Sequence, residues 1–157
     1  MSYYTVEEIE VAINKAKAII NSRTKEVDEY TRGYNDCFSL LVEYDKSLRG
    51  ENSYFYDFKF KDYTTIKGFF KALKNSGFDS LKDMAEKSNY EIIKTKRPIF
   101  GDIAFQARSE DSQLGGAMLA GDGWWITTSE LNEGINETRP LFFLETKLLL
   151  LARPLRS

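Results

Sequence analysis

The sequence contains no histidine, one cysteine and three prolines among its 157 residues. Each shortage excludes something. A single cysteine rules out an intramolecular disulfide framework and fits a reducing compartment. One cysteine without any histidine also removes the usual nitrogen and sulfur ligands of a structural zinc site. No acidic loop has the ligand spacing of a calcium or magnesium site, so no metal and no cofactor is expected. An excess of one charge is missing too: 22 Lys and Arg stand against 24 Asp and Glu, a formal net charge of −2. That balance offers no basic footprint, which disfavours nucleic acid as the main partner. Long apolar runs are also absent. "LFFLETKLLLLA" is broken by Glu145 and Lys147 and falls well short of the roughly 20 residues of a membrane span. The start, "MSYYTVEEIEVAI", is acidic and amphipathic, unlike the basic and then apolar start of a signal peptide. A soluble protein is expected.

What is present describes one ordinary folded domain over 1–157, with 42% hydrophobic and 14% aromatic residues. The aromatic share fills a core or leaves a surface for a protein partner, and composition does not choose between them. Thr5 and Glu8 form a capping-box pair ahead of a stripe of Val6, Ile9, Ile13, Ala16 and Ile20 at helical spacing. The stripe fades before Tyr30, which gives an N-terminal helix within 1–29. A helical part follows over 30–89. Asn35 or Asp36 caps a helix from about Cys37 to Leu48, closed by Gly50. Its apolar residues spread over most of its circumference, so it reads as the buried central helix. "ENSYFYDFKFKDY" alternates like a strand, with Phe58 and Phe60 on one face. Thr64 or Thr65 caps a further helix stopped by Gly77, and Asp79 or Ser80 caps a short one.

Residues 90–157 are β-rich, with breaks at Pro98 and Gly101. "GGAMLAGDGWWITTS" reads as a hairpin turning at Gly121-Asp122-Gly123. Trp124 and Trp125 should point to opposite faces, either one buried and the other exposed or half exposed as an anchor for a partner, or both covered by the helices and the C-terminal strand. The run from Leu148 to Leu151 reads as a strand buried on both faces. Helices first and an antiparallel sheet second is the α+β pattern.

The chemistry concentrates at Cys37. A thiol in the first turn of a helix lies near unsatisfied N–H groups and the positive end of the helix dipole, which favour the thiolate. By itself this is weak, because cysteine is among the most buried residue types. Order and spacing add to it. "YTRGYNDC", "RPIFGDIAFQ" and "GGAMLAGDGWWITTS", in that order over roughly residues 30 to 130, resemble the NlpC-like branch of the papain-like cysteine peptidases, in particular small phage-encoded relatives. The resemblance implies a papain-like α+β fold with the Cys-bearing helix packed on the C-terminal antiparallel sheet. It also implies a cysteine nucleophile at Cys37 and a histidine base at about Gly115 or Gly116, with the histidine position sometimes seen on the return strand falling near Thr127.

Neither place holds a group able to take or give the proton that acyl transfer to an amine requires. Asp36 does not fill the gap, since successive helical side chains diverge by about 100° and a neighbouring carboxylate disfavours the thiolate. Cys37 is therefore read as the relic of a nucleophile. Tyr34, Asp36, Trp124 and Trp125 are the candidate binding residues, and Asp102 orders the start of its strand. Three functions stay open: a non-catalytic binding or structural module, most simply virion- or tail-associated; an active hydrolase of cell-wall peptides or amides with an unusual base; and an intracellular phage protein that binds a host protein. All three imply a protein partner or a cell-wall substrate, in the cytoplasm of an infected host cell or in the virion.

Overall fold

A computed structural model describes residues 2–27, 31, 34–53, 63, 65–95, 97–107, 114–129, 132–141 and 148–156. The expected strand over "ENSYFYDFKFKDY" falls mostly outside the described residues, as do Gly33 and positions 142–147. Helix α1 runs Val6–Val27, α2 Cys37–Arg49, α3 Ile66–Asn75 and α4 Leu81–Lys87. The strands are β1 Tyr90–Ile92, β2 Ile103–Ala107, β3 Leu114–Ala120, β4 Trp124–Ser129, β5 Asn132–Pro140 and β6 Leu148–Pro154. They form one sheet in the order β1-β6-β2-β3-β4-β5, with every pair antiparallel. The protein is thus α+β, helices first and sheet second.

Local chemistry explains the helix boundaries. The Thr5 hydroxyl accepts from the Glu8 N–H at 3.2 Å while the Glu8 carboxylate accepts from the Thr5 N–H at 3.1 Å, the reciprocal capping box. Thr65 and Ser80 cap α3 and α4 through the N–H groups of Gly68 and Asp83. Gly50 ends α2 at φ +57°, where a side chain would be strained.

Every residue of α2 from Phe38 to Asp45 is buried. The helix lies between α1 and the sheet, against β3 and β4. Ile9, Ile13 and Ile20 of α1, Leu40, Leu41 and Tyr44 of α2, and Phe105 and Leu119 of the sheet share one core. A smaller cluster covers the other sheet face, with Ala104, Ala120, Trp125, Leu148 and Leu151. Gly101 marks the closest approach between layers: a Cβ there would lie 2.7 Å from Ile9 Cγ2 and 3.0 Å from the Tyr44 hydroxyl. That hydroxyl donates to the Gly101 carbonyl at 2.6 Å.

Two expectations need correction. Val6, placed in the stripe of α1, lies outside that helix's buried face and is 64% exposed. The Leu148–Leu151 strand is buried on both faces except at Leu149, which is 36% exposed. Phe105 pairs with Leu150 and Gln106 with Leu148, so Leu149 is the extra residue of a bulge and turns out of the sheet. Strand β5, rich in Asn, Glu and Gly, was not expected from the sequence. It is an edge strand, where polar residues with low β-propensity are tolerated.

Two buried carboxylates are bonded across elements: Asp45 ties α2 to the sheet, and Asp102 ties β6 to the start of β2. Asp45, without solvent exposure, accepts from Arg49 Nε at 2.8 Å, the Tyr90 hydroxyl at 2.7 Å and the Ser53 hydroxyl at 2.6 Å. Arg49 also donates to the carbonyls of Leu155 and Asn89, at 2.8 and 2.9 Å. Burial, with the neighbouring Asp45 carboxylate, pushes the Tyr90 phenol well above its usual range, so it stays a donor. Asp102 receives Arg153 Nε and NH2 at 2.9 and 3.0 Å and the Ile99 N–H at 2.9 Å. Burial pushes its carboxyl up, against the pull of Arg153 and the Ile99 N–H.

Asp45→Ala leaves the Arg49 cation and two hydroxyls without their shared acceptor. A loss of about 3–5 kcal/mol in urea unfolding is expected, and a loss under 1 kcal/mol would mean that Asp45 is incidental. For Asp102 the folded-state pKa lies above the ordinary 3.8. Its contribution to stability is therefore fullest below that ordinary value and is lost as pH rises through the raised one. The urea midpoint of the wild type relative to Asp102→Asn should rise as pH falls from neutrality through this window, and a flat difference would contradict the burial argument.

Candidate functional site

Asp36 has extended backbone, φ −79° and ψ 178°, and is 3% exposed at the N-cap of α2. Its Oδ1 accepts from the Ser39 N–H at 2.9 Å and the Ser39 hydroxyl at 2.5 Å. Its Oδ2 accepts from the Tyr63 hydroxyl at 2.6 Å. Of the two candidate caps it is thus Asp36 that starts the helix, and its carboxylate is committed to doing so. Asn35 instead fastens the preceding turn. Its side chain accepts from the Thr31 N–H at 2.6 Å and donates to the Thr24 hydroxyl of α1 at 3.1 Å.

With Asp36 as cap, Cys37 is the first residue of the helix, half-buried, with a reduced thiol. Opposite it, the ladder between β3 and β4 is paired at Leu119–Ile126 and Ala120–Trp125. Beyond that point side chains take over the hydrogen bonds of Ala117. Its N–H donates to Cys37 Sγ at 3.4 Å, and its carbonyl accepts from the Thr127 hydroxyl at 2.8 Å. The sulfur, on the first residue of the helix, thus serves as the acceptor for a backbone N–H. Thr128, 5% exposed, follows on β4, and its hydroxyl has no hydrogen-bond partner among the described residues.

The strand residue that meets the thiol is therefore Ala117, just past the Gly115–Gly116 pair. Strand alternation could have located it, since Ala117 shares a face with the buried Leu119. Tyr63 gave no such signal, because its contact with Asp36 spans 27 positions. Ala117 carries no titratable group, and the Thr127 and Thr128 hydroxyls are poor bases at neutral pH. The arrangement can hold a sulfur in place, but it supplies no imidazole to move a proton.

The other candidates divide. Tyr34 is on the turn before α2, with Arg23 5.2 Å from its ring centroid and its hydroxyl donating to Glu26 at 2.7 Å. That bond to a carboxylate raises its phenol pKa. Arg23 also donates to the Tyr34 carbonyl at 3.0 Å and to Glu43 at 2.8 Å, so α1 braces this turn. Tyr34, Asp36 and Cys37 thus share one corner, and the tryptophans do not join them. Trp124 is 47% exposed and Trp125 2% exposed, one on each side as alternation requires. Both begin β4, three residues or so, roughly 10 Å, from the threonines near Cys37. Trp125 packs in the cluster on the sheet face away from α2. Among the described residues no group of three or more Asp, Glu or Cys could hold a metal, and no helix is long and apolar enough to cross a membrane.

Asp36→Ala removes the cap and the acceptor of Tyr63. Unfolding should become easier by about 1–2 kcal/mol, with most of the loss recovered in Asp36→Ser, which still caps. Equal losses in the two variants, measured by urea unfolding, would show that capping is not what Asp36 does.

No curated protein and no solved structure matches the chain. Residues 14–136, well over half of the sequence, match the model of a family described as "Domain of unknown function (DUF6950)". The matched span contains the Cys37 corner, Ala117, both tryptophans and the two threonines of β4, and the chain belongs to that family.

Proposed function

We propose that the chain is a catalytically degenerate NlpC-like module with a papain-like arrangement, acting as a phage virion- or tail-associated structural or binding protein. The observation that carries this reading is the meeting of Cys37 and Ala117. A cysteine opens the central helix and contacts a sheet strand, as a thiol nucleophile does beside its base, yet the contacting residue is an alanine. Because the chain holds no histidine, no alternative imidazole can swing in. Asp36, the nearest carboxylate in sequence, is occupied by Ser39 and Tyr63. A leaving amine therefore has no imidazole to protonate it, and an amine anion does not depart unprotonated. The thiol keeps a structural use as the acceptor for the Ala117 N–H. The phage setting rests on the likeness of the three sequence segments and on no contact in the fold.

Purified protein should leave peptidoglycan peptides and simple amides intact, and the chain should be found in purified virions. Turnover abolished by Cys37→Ala would overturn the non-catalytic reading. Absence from virions, together with recovery in a complex with a host protein, would overturn the virion role.

A further inference from the structure

A cleft of about 380 Å³ lies between the first turns of α1 and the Gly121–Gly123 turn, away from Cys37. Its apolar lining is Val6, 64% exposed, and Phe100, over the core residues Ile13 and Ile126, which are 4% and 3% exposed. Glycine at 121 permits this shape. A Cβ there would stand 2.7 Å from Ile126 Cδ1 and 3.0 Å from the Trp124 carbonyl oxygen, so the turn closes directly onto Ile126. Val6 lies outside the buried stripe of α1, and its exposure is not explained by the core.

The polar lining is one-sided. Among the described residues Glu10, Asp122 and Glu137 line the cleft with one cation, Lys17, which bonds Glu137 at 3.1 Å. The Glu10 and Asp122 carboxylates make no ion pair or hydrogen bond with the described residues. Glu10 follows Val6 by one helical turn, and Asp122 stands on the facing turn. The cleft therefore joins apolar surface to two carboxylates, on opposite elements, that no described residue pairs. A long cationic side chain matches this pattern, because its stem covers apolar surface while its charged head stays at the wet end. Arginine fits better than lysine, since its planar fork can address two carboxylates at once. Trp124, 47% exposed, follows the turn and accepts the Gly121 N–H on its carbonyl at 2.8 Å.

We propose that this cleft is a docking site for an arginine presented, with apolar neighbours, by a partner protein. The assignment rests on charge complementarity and on the apolar lining, and it is independent of the peptidase-like reading.

The test is an amide NMR titration of the full chain with acetyl-Leu-Arg-Leu-amide, with the citrulline peptide as the uncharged match. The arginine peptide should shift the Glu10, Gly121 and Asp122 amides saturably. Glu10→Gln with Asp122→Asn, both on exposed positions, should weaken binding by roughly tenfold. Added salt should weaken it further. Equal binding of the citrulline peptide, or no saturable shift at the peptide's solubility limit, would overturn the proposal. Methylguanidine binding as tightly as the peptide would overturn it in favour of a small-cation site. Shifts at the same amides that follow protein concentration alone would overturn it in favour of a second copy.

Discussion

A carboxylate with no access to water, Asp45, is the constraint on which the arrangement of layers depends. It lies on α2, yet its partners come from the turn after that helix, from β1 and from Arg49, whose guanidinium reaches the backbone near the end of β6. Packing alone would allow α2 to slide or rotate against the sheet, since leucines tolerate small shifts. Three directed bonds into one buried acceptor do not. Fixing the C-terminal end of α2 in this way also fixes its N-terminal end, and hence where Cys37 meets the sheet.

At that meeting point the strand ladder gives way to side chains. Ala117 exchanges no pairing bond with β4; instead its N–H points at a sulfur and its carbonyl at a threonine. A cysteine whose thiol completes backbone hydrogen bonding has a reason to remain after any chemistry has gone. Serine would place a smaller and more strongly hydrogen-bonding atom there, and alanine would leave the Ala117 N–H unpaired. The corner is held from two other sides, by Asp36 with Tyr63 and by α1 through Asn35 and Arg23.

The features written in short spacings were legible in the sequence. The Thr5–Glu8 box, the caps of α3 and α4 to within one residue, the glycine after α2 and the opposite directions of Trp124 and Trp125 all follow from neighbours within a few residues. The burial of α2 could be read from its apolar circumference. What escaped notice depends on partners far along the chain. Nothing near Asp45 announces Tyr90, and nothing near Asp36 announces Tyr63. The exposure of Leu149 comes from a bulge set by the partner strand, which local hydrophobicity cannot reveal. The polar edge strand β5 lacks an alternating pattern because an edge does not require one. The cleft beside Gly121 was invisible for the same reason, since it exists only where α1 crosses the turn.

The sheet order has a consequence for how the chain matures. The last strand in sequence, β6, inserts between β1 and β2. Until residues 148–154 have been synthesised, β1 has no neighbour and β2 shows one bare edge. At roughly 5–20 residues per second, ribosomal synthesis leaves those edges waiting for several seconds. The helices can form locally in that interval, but the sheet can close only when the C-terminal strand arrives, a late non-local step of the kind that slows folding. A chain cut or stalled shortly before residue 148 would carry two complementary open edges, and could pair with another such chain in place of its own missing strand.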